Sequence, residues 1–334
     1  MRADEKPIDP ERPIIDPHLH LWEIPEVPGL PQVPQRFLLH EAVKTIAASG
    51  HNVTHTVFVE CNAMHRADGP RERASLGETE FATGMAAMSA NGAYGPARLC
   101  HRVVGQVDLR LPDAAAVLDA HRAIAGERFR GIRTNVACSS EGLFGHPCDP
   151  ALRGVLRDPA FIAGARELAR MDLSLDIWCL HPQLADVAAL ADAVPDLTIV
   201  VDHVGTPECT GSWAARGAEA FAEWSRAIGE LARRPNVAIK LGGMGMDLHG
   251  PLPARPGPAS SEQLAEAWRP RVDVAIAAFS PSRAMFESNF PPDQSAGTYG
   301  ATWNAFKRIA RACSDDEKDQ LFRRTAAATY RIGI

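Results

Sequence analysis

The feature that most constrains this chain is an alternation: eight short β-rich runs are separated by longer stretches with helical periodicity. The runs are Ile14–His20, Val53–Glu60, Arg102–Leu109, Phe129–Thr134, Leu173–Leu180, Leu197–His203, Asn236–Leu241 and Arg283–Asn289. The helical stretches include Thr79–Asn91, Pro112–Ala125, Pro159–Arg170, Leu184–Ala193, Ala215–Arg234, Ser261–Phe279 and a last one from Ser314 to Tyr330. A helix between two strands carries the chain back across the sheet, so successive strands run parallel. Eight such units predict an α/β fold of the (β/α)8 TIM-barrel type, distorted and with long βα loops. A dinucleotide-binding open sheet is disfavoured, because no Gly-x-Gly-x-x-Gly follows an early strand.

The chain has 334 residues, enough for one such barrel and its insertions. No composition break divides it. The expected organisation is a polar N-terminal arm, residues 1–12, and a single catalytic barrel, residues 13–334. A net charge of −6 offers nothing to attract a phosphate backbone, so nucleic acid is excluded as the expected partner. No apolar run reaches membrane-spanning length and the first residues lack an apolar signal region, so no membrane partner is expected. The seven cysteines include no Cys-x-x-Cys, and several lie in apolar runs. They read as reduced residues of a cytoplasmic protein. Three segments are long for βα connections: Asn62–Glu78, Ala137–Asp158 and Gly242–Ser260, the last with Pro251, Pro253, Pro256 and Pro258. A barrel puts all three on its catalytic face, as lids or as solvated insertions.

In a barrel, polar residues at the C-terminal ends of strands converge on one mouth. The first run ends Asp16-Pro-His18-Leu-His20. Strict alternation would put all three side chains on one face, and two imidazoles at i and i+2 are suited to one divalent ion. The second run ends at Glu60, a carboxylate costly to bury alone and a candidate acid, base or internal ion-pair partner. The fourth supplies Arg133, whose guanidinium suits a carboxylate or a lactone carbonyl, or an internal acid such as Glu60. The fifth gives Asp176, Trp178 and His181, and the sixth Asp202 and His203. Lys240 ends the seventh run as a substrate cation or an internal counter-ion, and the eighth carries Glu287 and Asn289.

Together these segments resemble the amidohydrolase superfamily, in particular its second large family of lactonases and related hydrolases. The resemblance runs from Asp16 to Tyr330. It rests on Asp16-Pro-His18-Leu-His20, Gly131-Ile-Arg133, His181-Pro-Gln183-Leu, Asp202-His203-Val-Gly205, Lys240-Leu-Gly242-Gly and Phe286-Glu-Ser-Asn289-Phe-Pro291. Relatives of this kind include fuconolactonase-like, sulfomuconolactone hydrolase-like and pyrone-dicarboxylate lactonase-like enzymes, and more distantly nonoxidative decarboxylases of aromatic acids. The resemblance implies metal ligation by His18, His20 and His181, and orientation of substrate or water by His203. The eighth run departs from the family. Where Gly-Ser-Asp-Trp-Pro is usual, this chain has Glu287-Ser288-Asn289-Phe290-Pro291, as a subgroup marker. An amide takes no proton at neutral pH, so Glu287 or Glu60 is the expected replacement base. The bland alternative pairs Glu287 with Lys240 or Arg133 inside the barrel.

The expected activity is hydrolysis of a small, carboxylate-bearing cyclic ester, a lactonase-type carboxylic ester hydrolase. His203, Glu287, Glu60 and Asn289 are the catalytic candidates, and Arg133, Lys240 and Trp178 the substrate-binding ones. The implied cofactor is one divalent ion, zinc by ligand chemistry. Its alternative is a metal-free site in which histidines and cations polarise the substrate alone. Rival readings are a decarboxylase or lactone isomerase on the same scaffold, and a non-catalytic barrel that binds a small acid. The partner is a small organic acid or lactone, with homo-oligomer formation the open macromolecular one.

Overall fold

A computed structural model describes residues 5–25, 34–139, 141–143, 146–250, 252 and 257–334. Its strands are β1 (Ile14–Leu19), β2 (Trp22–Glu23), β3 (Arg36–Phe37), β4 (Val53–Val59), β5 (Arg98–Gly105), β6 (Phe129–Asn135), β7 (Ser174–Trp178), β8 (Ile199–Val201), β9 (Val237–Leu241) and β10 (Ala284–Phe286). β2 and β3 form a short antiparallel ribbon; the other eight form one parallel sheet in chain order. The circuit closes between β10 and β1. Leu19 bridges to Phe290, Asn289 N donates to His18 O (3.1 Å), and His20 N donates to Phe290 O (2.8 Å). The fold is the expected (β/α)8 TIM barrel.

Alternation along the strands builds two apolar layers. Val103, Ile132, Leu175, Ile177, Ile199, Ile239 and Phe286 face outward against the helices. Ile15, Val57, Val59, Val104, Val200, Ala238 and Met285 face inward. Ala326, Ala327 and Tyr330 of the last helix (Thr325–Tyr330) join this inner cluster and close the bottom of the barrel. Burying an aromatic ring there stabilises the closure by about 2–3 kcal/mol. Helix starts follow local chemistry. Pro159–Arg170 begins at Asp158, which caps Ala160 N at 2.8 Å with Pro159 next in sequence, and it buries Phe161, Ala165 and Leu168.

Several elements differ from expectation. β5 begins at Arg98, four residues before the expected start, because it pairs His55 with Arg98 and Val59 with Val104. Val107 and Leu109 are buried loop residues, which extended the apparent strand. Two helices went unread. Leu39–Ser49 is a short amphipathic helix, and Tyr299–Ile309 is buried almost all round, with Thr302, Asn304 and Lys307 buried among its apolar residues. In the arm, residues 5–12 are tied to the barrel by Ile8 N to Asn304 Oδ1 (2.8 Å) and Lys307 Nζ to Asp9 O (2.7 Å). Pro251, Pro253 and Pro256 lie outside the described residues; Pro258 is described.

The cysteine reading needs correction. Cys138 and Cys148 form a disulfide, with Cα atoms 5.1 Å apart, while the other five cysteines are free. Both lie in the long connection after β6, whose turn brings together two residues that spacing alone did not pair.

Candidate active site

The first expected triplet separates on folding. The β1–β4 register shifts between Asp16 and Leu19, so alternation fails at Pro17. Ile15 faces the barrel interior, while Asp16 turns to the β10 side and accepts from Ser288 N (3.0 Å) and Tyr299 Oη (2.9 Å). Burial lifts its carboxyl to about 6. Asp16 therefore locks the β10–β1 seam, and His18 and His20 alone point inward from β1.

Above the inner apolar layer lies buried charge, with Lys240 and Asp202 two residues beyond Ala238 and Val200. Lys240 is fully buried. Its ammonium meets Asp176 Oδ2 at 2.7 Å, Asp202 Oδ1 at 3.1 Å and His18 Nδ1 at 3.1 Å. Tyr330 Oη donates to Asp176 Oδ2 at 2.6 Å from below. Lys240 is held above its ordinary pKa against burial by Asp176, Asp202 and Glu287. Burial opposes ionisation of Asp202, but Lys240, His18 and Arg133 together hold its carboxyl well below the usual range. Lys240 hydrogen-bonds Asp176 and His18 and pairs with the Asp202 charge, so it is the internal counter-ion.

Glu287 anchors the next layer. Oε1 accepts from His203 Nδ1 (2.7 Å) and from His203 N (3.1 Å), and Oε2 lies 2.8 Å from His18 Nδ1. His203 and His18 hold this buried carboxyl far below its ordinary value. It stays ionised, and its partners are histidines rather than Lys240 or Arg133. Sequence reading had it as a base, but an acid held this far down takes no proton at neutral pH. It orients imidazoles instead. The Gly242-Gly243 pair makes room for it. A Cβ at Gly242 would meet Glu287 Cγ at 2.4 Å, and one at Gly243 would meet the His203 ring at 2.3 Å. His203 and Val204 themselves have φ of 54° and 52°, a left-handed turn held by the Glu287 contact.

Glu60 differs from the other acids. It is fully buried, and neither carboxylate oxygen has a hydrogen-bond partner among the described residues. Arg133 Nη1 lies 3.6 Å away. Burial raises the carboxyl to about 7, with Arg133 opposing and Glu78 adding to the rise. Arg133 also donates through Nε to Asp202 Oδ2 (2.9 Å), approaches His203 Nε2 (3.4 Å), and sits 5.3 Å from the Trp178 ring centre. Trp178 donates to Thr206 Oγ1 at 3.1 Å. With Ala137, Leu180 and Leu248 it makes an apolar wall where the loops after β6 and β9 meet.

His181 and Asn289 are brought to the same end of the barrel in other roles than expected. His181 Nδ1 accepts from Glu208 N (3.1 Å), and burial keeps the imidazole neutral, its pKa about 4. Its proton is therefore on Nε2, buried and without a partner among the described residues. Asn289 spends its amide on Asp293 Oδ1 at 2.7 Å. Asp293 also accepts Gly245 N (2.9 Å), and burial lifts it to about 7.

These positions decide how a metal would sit. Among the described residues, His18, Asp202 and His203 bring ligand atoms within 4.8 Å of one another. The Lys240 ammonium already lies 3.1 Å from two members of that trio, so an ion could enter only in its place. The expected His18–His20–His181 set fits less well. Nε2 of His18 and of His20 lie 3.1 Å apart. His20 Nδ1 donates to Val59 O at 2.8 Å, and His18 Nδ1 lies between the Lys240 ammonium (3.1 Å) and Glu287 Oε2 (2.8 Å). His181, whose Nδ1 accepts from Glu208 N, turns an N–H, not a lone pair, toward the site. The residues present do not fit a three-histidine zinc site.

Comparison with known proteins adds the following. A family model described as Amidohydrolase matches residues 15–332. The uncharacterized protein y4mH of Sinorhizobium fredii is 33% identical over 331 residues, 96% of this chain and 98% of that one. L-fucono-1,5-lactonase of Burkholderia multivorans is 28% identical over 324 residues, covering 95% and 96% of the two chains. A crystal structure of a B. multivorans amidohydrolase with bound zinc superposes with a TM-score of 0.74 at 24% identity, covering 96% of this chain and 99% of that one. No helix of the described residues is long and apolar enough to cross a membrane.

Proposed function

Since the chain belongs to the amidohydrolase family, whose members support a hydrolase reading, we propose that it hydrolyses a small neutral lactone bearing hydroxyl groups, with its own side chains activating the water and polarising the carbonyl. The observation that carries this is Glu60: a buried carboxyl whose oxygens make no hydrogen bond of ordinary geometry among the described residues, brought to about 7 by burial, with a guanidinium 3.6 Å away. A base is most effective when its pKa lies near the working pH.

Ionised Glu60 takes a proton from water as the water oxygen bonds to the lactone carbonyl carbon. The Nε2–H of His181 donates to the oxygen that becomes negative. Glu60 then returns the proton to the ring oxygen as the ring C–O bond breaks, leaving a hydroxy acid. His203, held through Nδ1 by Glu287, accepts from Arg133 Nη2 at Nε2 and so fixes the guanidinium beside Glu60. Trp178 covers the apolar face of the ring. No step passes through a metal.

A carboxylate-bearing substrate, expected from the sequence, is not favoured. It was to be held by Arg133 and Lys240, yet Arg133 is engaged by Asp202 and Glu60, and Lys240 by Asp176 and Asp202. The interior carries no surplus positive charge to pair with an anion. The hydroxylated lactone named in the B. multivorans relative agrees with that balance. The test is a panel of neutral sugar lactones, carboxylated lactones and aromatic acids, followed by proton release and by CO₂ release. Turnover of neutral sugar lactones is expected. CO₂ release from an aromatic acid, with no lactone turnover, would overturn the reading.

A further inference from the structure

The turn that follows β4 is built around an acid that the proposed reaction does not use. Glu78, in the first turn of the helix Leu76–Ala90, is 2% exposed. Its Oε1 accepts from Cys61 N (2.9 Å), from Ala63 N (3.1 Å) and from Cys61 Sγ (3.4 Å). Between and beyond those two donors, Asn62 and Met64 adopt φ of 59° and 54°. Two left-handed non-glycine residues in a three-residue span are costly and persist where surrounding contacts over-determine them. The contacts here converge on one carboxylate oxygen. The turn starts at the residue after Glu60, so whatever fixes Cys61 also fixes the direction in which Glu60 leaves the strand.

The second oxygen of Glu78 has no hydrogen-bond partner among the described residues and lies 3.7 Å from His65 Nε2. Glu78 holds His65 above its ordinary value. Glu60 is thus faced by five charged or titratable side chains. Arg133 comes from β6, Asp202 from the end of β8, Cys61 and His65 from its own turn and Glu78 from the helix. Arg133 favours the ionised form of Glu60. The two acids oppose it, Glu78 more than Asp202.

We propose that Glu78 is a positioning residue for Glu60: it pins the left-handed turn that aims the Glu60 carboxyl, and it sets a second buried negative charge beside it so that Glu60 can exchange a proton with water during turnover. The inference rests on the reading of Glu60 as the base, and its test separates the two. Two buried carboxylates in one neighbourhood cannot both ionise as readily as one alone, so the charge on Glu78 keeps a proton on Glu60 to higher pH.

The experiment uses the full chain and a readout that needs no substrate. The infrared band of protonated Glu60 is identified by its loss in Glu60→Gln, and its titration midpoint is followed in variants at Glu78. Glu78→Gln keeps an acceptor for Cys61 N and Ala63 N but removes the charge. Its midpoint should fall by about one pH unit, the acid limb of kcat/KM should follow, and the plateau kcat should stay within about threefold. Glu78→Asp keeps the charge and retracts the acceptor. Its midpoint should stay raised while kcat falls about tenfold or more. An unmoved midpoint in Glu78→Gln, or a lowered one in Glu78→Asp, overturns the proposal, and each variant tests it alone if the other does not fold. Full activity in Glu60→Gln would instead remove the base reading and leave the titration result for Glu78 standing.

Discussion

Replacing Glu60 with Gln should make the folded protein more resistant to denaturation and nearly inactive. The ordinary carboxyl value of 4.5 becomes about 7 in the fold, with burial the largest cause. The folded chain then holds a proton between those limits that the unfolded chain releases. Stability falls as pH rises through that window, by up to about 3 kcal/mol, and is level above it. Glutamine has no such proton. Its amide brings its own cost, about 1 kcal/mol for an unpartnered donor beside Arg133, but that cost does not change with pH. Relative to the parent, the variant should therefore gain about 3 kcal/mol between about pH 4.5 and pH 8. Denaturant midpoints at those two pH values read this difference directly. Lactone turnover should fall by about 10²–10⁴ at the same time. A stability difference that is the same at both pH values would refute the burial argument, and undiminished turnover would refute the role.

Other variants probe the neighbouring groups. Glu287→Gln removes the charge that faces His203 and His18; stability should fall by about 3 kcal/mol in chemical denaturation, and kcat by about 10² or more. His181→Phe keeps a buried ring but loses the Nε2–H; kcat should fall about 10²-fold with the circular dichroism unchanged, and full activity would show that this N–H does not meet the carbonyl oxygen. Tyr330→Phe removes the donor to Asp176 at the barrel bottom; urea unfolding should show a loss of about 1–3 kcal/mol while turnover stays within about threefold.

Much of this arrangement is legible in the sequence because barrel geometry converts strand ends into one site. The alternation of runs gave the topology. Alternation along β9 carries Lys240 inward from Ala238, while His18 and His20 follow a register shift and His203 a left-handed turn. Three things were not legible. The shift at Pro17 turned Asp16 out of the site, and a register irregularity leaves no mark on residue order. The choice between ligand and counter-ion at Lys240 depends on which acids lie within about 3 Å, which only the closed barrel fixes. Glu78 reads as the end of a long βα connection, but it lies in the first turn of the helix Leu76–Ala90 and its role comes from a turn 15 residues earlier, pinned through Ala63 N. The Gly242-Gly243 pair could be read as a motif; its physical reason, the approach of Glu287 and His203, appeared only with the fold.

The central claim is that this barrel hydrolyses a neutral lactone with a carboxyl of its own as the base and without a metal. The most direct measurement is the pH dependence of kcat/KM on a neutral sugar lactone, taken on protein freed of metal by a chelator. The account predicts full activity after chelation, rising through a single limb near pH 7 as Glu60 loses its proton, and absent in Glu60→Gln. Activity abolished by chelation and restored by zinc, or a rate flat across that limb, would contradict it.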